Sequence, residues 1–82
     1  MRIYNFRGKC NCSGPYIRKR RTELGLSQEE LAAKLQLVGL DLTQKAISRI
    51  ETGLRVVADF EIPFFADALD VSPLWLLERE ER

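Results

Sequence analysis

Eighty-two residues make one domain with room for a single modest core. The 45% apolar share argues against general disorder, and no apolar run approaches the roughly 18–20 residues a membrane-spanning helix needs. The net charge of +1 hides a division: residues 1–55 hold eleven Lys/Arg against five Asp/Glu, whereas residues 56–82 hold two against seven. A chain basic in front and acidic behind steers a charged partner better than its total implies. The N-terminus carries no secretory apolar segment, so the expected location is the cytoplasm.

Residues 1–14 read as an N-terminal arm. Met1-Arg2-Ile3-Tyr4-Asn5-Phe6-Arg7 alternates loosely, as either a short strand or an arm packing Ile3, Tyr4 and Phe6 on the domain. In a functional version, Arg2, Arg7 and Lys9 reach along a polyanion. Cys10 and Cys12 stand one residue apart, but zinc needs about four ligands, and the chain has no His and no further Cys. The expectation is two reduced loop thiols, with no metal and no cofactor; only a site shared between two chains completes a zinc shell.

The main domain, residues 15–82, begins with Gly14-Pro15, because Pro suits the first helical position. Tyr16, Ile17, Arg20, Arg21 and Leu24 share a stripe, and Gly25 closes this first helix. Arg18-Lys19-Arg20-Arg21 is the densest charge run, either a solvated face or a phosphate contact. Ser27-Gln28-Glu29-Glu30 spells a capping box. The helix behind it turns Leu31, Ala32 and Leu35 inward, and its small Ala32 allows a close crossing. Gln28 falls in the first turn, where an amide and a helix N-terminus together suit a phosphate.

Residues 43–53 read as a short helix with Thr43 as N-cap and Gly53 as the left-handed stop. At about 100° per residue, Ala46, Ile47 and Ile50 share one side, with Glu51 at its edge. Gln44, Lys45, Ser48, Arg49 and Thr52 share the other. That outer face holds an amide, two cations and two hydroxyls, and no carboxylate. A face that meets only water usually mixes both signs. Gln and Arg also make bidentate contacts to base edges.

Leu54-Arg55-Val56-Val57-Ala58 reads as a connector. Asp59 is the expected cap of a fourth helix whose apolar positions are Phe60, Phe64, Phe65, Ala68 and Leu69. Ser72-Pro73 opens a fifth helix. Its Leu74-Trp75-Leu76-Leu77 turn is denser than one core face requires, so Trp75 and Leu76 plug the core while Leu74 suits either the core or a dimer interface. Residues 78–82 read as a fraying polar end.

"LGLSQEELAAKL", then "TQKAISRIETG", then "ALDVSPLWLL" together resemble the phage-repressor and Cro-type helix-turn-helix domains of the XRE family. The resemblance covers about residues 15–77. It implies an all-α, five-helix bundle of the lambda-repressor-like DNA-binding type, with a short N-terminal extension, whose third helix enters the major groove. It further implies that Gln28 meets phosphate, that Gln44, Lys45 and Arg49 face bases, that Thr52 and the backbone near Gly53 meet phosphate, and that Arg21 pairs with Glu51. One stretch departs from the pattern. Residues 36–42 exceed the family's turn by about five residues, against a usual 3–4. Helix 2 then runs on towards Gly39, and Leu37, Val38, Leu40 and Leu42 either extend the core or form an exposed patch.

The expected function is a sequence-specific double-stranded DNA-binding transcriptional regulator. Gln44, Lys45, Ser48 and Arg49 read bases, and Arg18, Gln28, Thr43, Thr52, Gly53 and Arg55 hold phosphates. The expected operator is palindromic and the expected protein a weak homodimer, because one such unit reads a half-site. A protein-interaction module of the same fold is the alternative. An enzyme is not expected: there is no His, phosphate loop or paired-carboxylate pattern. No membrane or small-molecule substrate is expected either.

Overall fold

The computed structural model describes residues 5–79. Arg2, Ile3, Tyr4 and the final 80–82 segment lie outside them. The order is α1 (Gly14–Glu23), α2 (Gln28–Leu37), α3 (Gln44–Glu51), α4 (Glu61–Leu69) and α5 (Pro73–Leu76). Among the described residues there is no strand, only an isolated bridge between Phe6 and Lys9.

Local chemistry sets most boundaries. The Ser27 hydroxyl accepts the Glu30 N–H at 3.0 Å, and the Glu30 carboxylate accepts the Ser27 N–H at 2.8 Å. The Ser27 N–H, then its hydroxyl, hold the Glu30 carboxyl below the usual carboxylate range. Thr43 and Ser72 cap α3 and α5 in the same way, accepting the N–H groups of Ala46 and Trp75. Gly39 and Gly53, at φ of +99° and +82°, end α2 and α3. Each sits inside a Schellman closure, where Leu40 N–H reaches Leu35 O and Leu54 N–H reaches Arg49 O.

The start of α4 corrects the sequence expectation. Asp59 is exposed and does not cap the helix. The Glu61 carboxylate reaches back instead and accepts the Ala58 N–H at 2.9 Å. Arg55 holds that carboxylate from the other side, so the turn closes on Glu61. The helix therefore begins at Glu61, one residue later than a cap at Asp59 would set it. Ile62, Phe65, Ala66, Ala68 and Leu69 point inward, whereas Phe60 is exposed.

One core joins the five helices. α2 packs on α3 and α4, α1 touches α3, α4 and α5, and α5 closes against α4. Ile17, Leu31, Leu35, Ile50, Phe65 and Leu76 are fully buried at its centre. Trp75 plugs one end, its ring edge-on to Tyr16 at 5.2 Å between centroids. Arg20 donates to the Leu69 carbonyl at 2.8 Å and so satisfies an end group of α4. In the long 36–42 segment, the apolar residues divide. Leu40 and Leu42 join the core, while Leu37 and Val38 remain on the surface, Leu37 88% exposed.

Where α1 begins, it runs hard against the end of α3. A Cβ on Gly14 would strike the Ile50 carbonyl oxygen. Asn11 spans the same corner. Its amide donates to Ile50 O at 3.0 Å and Arg55 O at 2.7 Å, and its carbonyl oxygen accepts the Gly14 N–H at 2.7 Å. Residues 5–13 thus lie against α3 and the connector behind it.

Candidate nucleic-acid interface

The spacing of α3 separates two faces. Ile47, Ile50 and Glu51 are buried; Gln44, Lys45, Arg49 and Thr52 are exposed, with Ser48 half-buried. Lys45 and Arg49, one turn apart, line a shallow cleft with Thr43, Leu54 and Arg55. On the neighbouring side, Arg18, Lys19 and Thr22 of α1 line a second depression that reaches Glu51.

Beneath the exposed face lies a polar network. Arg21 grips Glu51 through two parallel hydrogen bonds of 2.7 and 2.9 Å, with side chains 11% and 2% exposed. The hydrogen bond to Glu51, outweighing the cost of burial, pushes the Arg21 guanidinium above its ordinary range. A third Arg21 bond goes to Leu26 O at 2.8 Å and ties the turn before α2. The Gln28 amide donates to Glu51 at 3.0 Å, and the Gln28 carbonyl accepts from the Gln44 amide. The buried pair therefore sets the orientation of Gln28, and Gln28 that of Gln44 at the start of α3. Among the described residues no buried side-chain polar atom lacks a partner.

Two of the residues expected at phosphates are engaged within the molecule. The Arg55 guanidinium lies flat on Glu61, with two bonds of 3.0 Å, so its charge is matched within the molecule. Burial pushes the Glu61 carboxyl up, but the Arg55 hydrogen bonds, the Ala58 N–H and the Arg55 charge outweigh it and hold the group below its usual range. The Arg55 guanidinium is correspondingly pushed above its own, by the Glu61 hydrogen bond first. At Gly53, the N–H donates to Ile50 O at 3.0 Å, the carbonyl accepts from Cys10 N–H at 2.9 Å, and the residue is buried. The Gly53 N–H is thus engaged. The exposed Thr52 hydroxyl donates back to its own helix, at 3.0 Å from Ser48 O and 3.2 Å from Arg49 O. Arg18 and Thr43 are exposed.

The segment that covers Gly53 escaped the sequence reading. Lys9 lies over it, close enough that its stem would meet a Cβ placed on Gly53, and the Lys9 ammonium is 3.4 Å from Thr52 O. The readable signal was Asn11, three residues before the first amide of α1, a spacing suited to capping.

Among the described residues, Arg7, Lys9, Arg18, Lys45 and Arg49 make no ion pair. Acid is sparse around them. Residues 1–22 contain no Asp or Glu, and residues 42–58 contain only Glu51, which is buried and matched. The face built from Arg7, Lys9, Arg18, Lys45 and Arg49 is therefore predominantly cationic, with Glu23 at the end of α1 as the nearest exposed acid in that helix. Among the described residues no group of three or more His, Cys, Asp or Glu could hold a metal, and Cys10 and Cys12 are free thiols. No helix among them is long and apolar enough to cross a membrane.

No curated protein matches the chain. A family model described as helix-turn-helix matches residues 17–76, from Ile17 in the buried face of α1 to Leu76 at the end of α5. With five helices in that order among the described residues and a third helix whose exposed face carries no carboxylate, the chain belongs to the XRE-type helix-turn-helix family of DNA-binding domains.

Proposed function

We propose that this protein is a sequence-specific transcriptional regulator that lays α3 in the major groove of double-stranded DNA. The observation that carries the reading is the pairing of an acid-free outer face on α3 with the Arg21–Glu51–Gln28–Gln44 network beneath it. A face meant only for water needs no such orientation of its first residue. Gln44, nearest the helix start, meets an adenine edge, where its amide donates and accepts together. The Arg49 fork fits guanine. Lys45 serves a base or a phosphate, and Ser48 a base.

Arg18, Gln28, Thr43 and Thr52 hold the sugar-phosphate backbone, with Gln28 next to the N-terminus of α2. The Thr52 hydroxyl does so after a turn about its χ1. Arg55 and Gly53 are left out of this set, because both are engaged inside the molecule. A weak homodimer on a palindromic operator completes the reading, since one unit spans a half-site. Leu74 and Leu77, exposed beside α5, supply an apolar contact for it. The role is binding, without catalysis.

Selection from a random duplex pool tests this reading. Enrichment of a short inverted repeat is the expected result. Absence of any enrichment, with the protein folded, would favour a protein-interaction module on the same fold.

A further inference from the structure

Residues 5–9 form a tight reverse turn. Phe6 and Lys9 exchange both backbone hydrogen bonds, at 2.7 and 3.1 Å, and Asn5 accepts the Gly8 N–H at 3.1 Å. Its two central residues, Arg7 and Gly8, have φ of +55° and +83°, the signs a two-residue hairpin of type I′ needs. Gly adopts that conformation freely, whereas Arg does not. A non-glycine residue held there needs an explanation, and such residues gather where function requires them. The Arg7 guanidinium lies over the Phe6 ring, 5.0 Å from its centroid, yet both residues are exposed. The turn therefore buries little, and what it does is present a cation.

The turn is also fixed in place. Cys10 N–H is bonded to Gly53 O, Asn11 bridges Ile50 and Arg55, and the Lys9 stem covers Gly53. Lys9 thus stands at the C-terminal end of α3, with Arg7 two residues away on the same turn, and neither has a carboxylate partner among the described residues. The resemblance implies a phosphate against the backbone near Gly53, but here the Gly53 N–H donates to Ile50 O and the Lys9 stem covers the residue.

We propose that the N-terminal hairpin is a phosphate clamp, in which Lys9 and Arg7 grip the DNA backbone where α3 leaves the groove and take the place of the Gly53 backbone. The proposal rests on the DNA-binding reading above. It assigns these two cations to affinity and not to sequence choice, since phosphate contacts carry no base information.

A competing role for Lys9 is purely structural, as a cover for Gly53 and a donor to Thr52 O. Lys9→Gln keeps most of the stem and an amide donor, whereas Lys9→Arg keeps the charge, so the pair separates the two roles. The full chain and its Lys9→Gln, Lys9→Arg and Arg7→Gln variants are titrated on selected and scrambled duplexes between 50 and 200 mM salt, with thermal melting as the check on folding. Each lost clamp cation is expected to reduce the salt slope by about 0.9, which makes the affinity loss across that range about threefold smaller. Binding to both duplexes should weaken together, the ratio between them should hold, and Lys9→Arg should keep the parent slope. A parent-like slope in folded Lys9→Gln and Arg7→Gln, with the parent binding its selected duplex, overturns the clamp alone. A parent that binds no duplex overturns the clamp and the DNA-binding reading together.

Discussion

α3 and α4 are nearly equal in length, at 8 and 9 residues, and arginines lie at both, but those arginines are used in opposite ways. Around α4 the cations are spent on structure. Arg55 closes the first turn through Glu61, and Arg20 satisfies the Leu69 carbonyl at the other end. α3 is capped by its own Thr43 and stopped by Gly53, so Lys45 and Arg49 are not required for its ends. The difference teaches that a count of arginines says little about function. What matters is whether a carboxylate or carbonyl of the same molecule already faces the guanidinium.

The comparison breaks most violently at Arg21, where α3 itself depends on a structural arginine. Arg21→Ala leaves the Glu51 carboxylate buried and unmatched and should cost roughly 3–5 kcal/mol. Urea denaturation would measure it. A loss below about 1 kcal/mol, the size of an exposed pair, would mean that the network is wet and sets nothing.

Smaller effects belong to α4. Arg55→Ala should cost about 1–3 kcal/mol by stranding the Glu61 carboxylate, while leaving the salt slope of DNA binding as in the parent. The same pair predicts the acid response. The Glu61 pKa is lower in the folded chain than its ordinary value of 4.5, so folding favours the carboxylate. Its contribution is complete above that value and is lost as pH falls through the depressed folded value. A melting series from neutral pH downward should therefore show a decline that starts near pH 4.5, and Arg55→Ala should flatten it. A decline of the same size in both proteins would assign it to other carboxylates.

The smallest stability effect is expected at Arg18. It makes no ion pair among the described residues, so Arg18→Ala should change folding stability by no more than about 0.5 kcal/mol, yet lower the salt slope by about 0.9. Arg18 and Arg55 thus trade effects: one moves binding and the other moves stability. Equal behaviour of the two variants would erase the distinction between cations left for binding and cations spent on structure.

Signals that act over a few residues were legible in the sequence. The Ser27–Glu30 box, the Thr43 and Ser72 caps and the Gly39 and Gly53 stops fix helix ends through hydrogen bonds spanning at most five residues, and a pattern of residue types is enough to find them. The two faces of α3 follow from the helical period alone. Signals settled at a distance were not legible. Asp59 and Glu61 both suit the start of α4, and Arg55 decides between them. Gly53 looks like an open backbone until Lys9, far back in the chain, is laid over it. Leu37 and Leu40 are chemically alike, and only the reversal at Gly39 sends one outward and the other into the core. The candidate site was therefore readable as a helix face, while its supports and its covered corner depended on contacts between distant segments.

The most direct test of the central claim, that α3 reads bases, is a matched titration of the parent, Gln44→Ala and Arg49→Ala on the selected duplex and on its scrambled counterpart at one salt concentration. Each substitution should cost about 1–3 kcal/mol on the selected duplex and far less on the scrambled one, narrowing the ratio between them. If both variants keep the parent's ratio, α3 does not read the sequence.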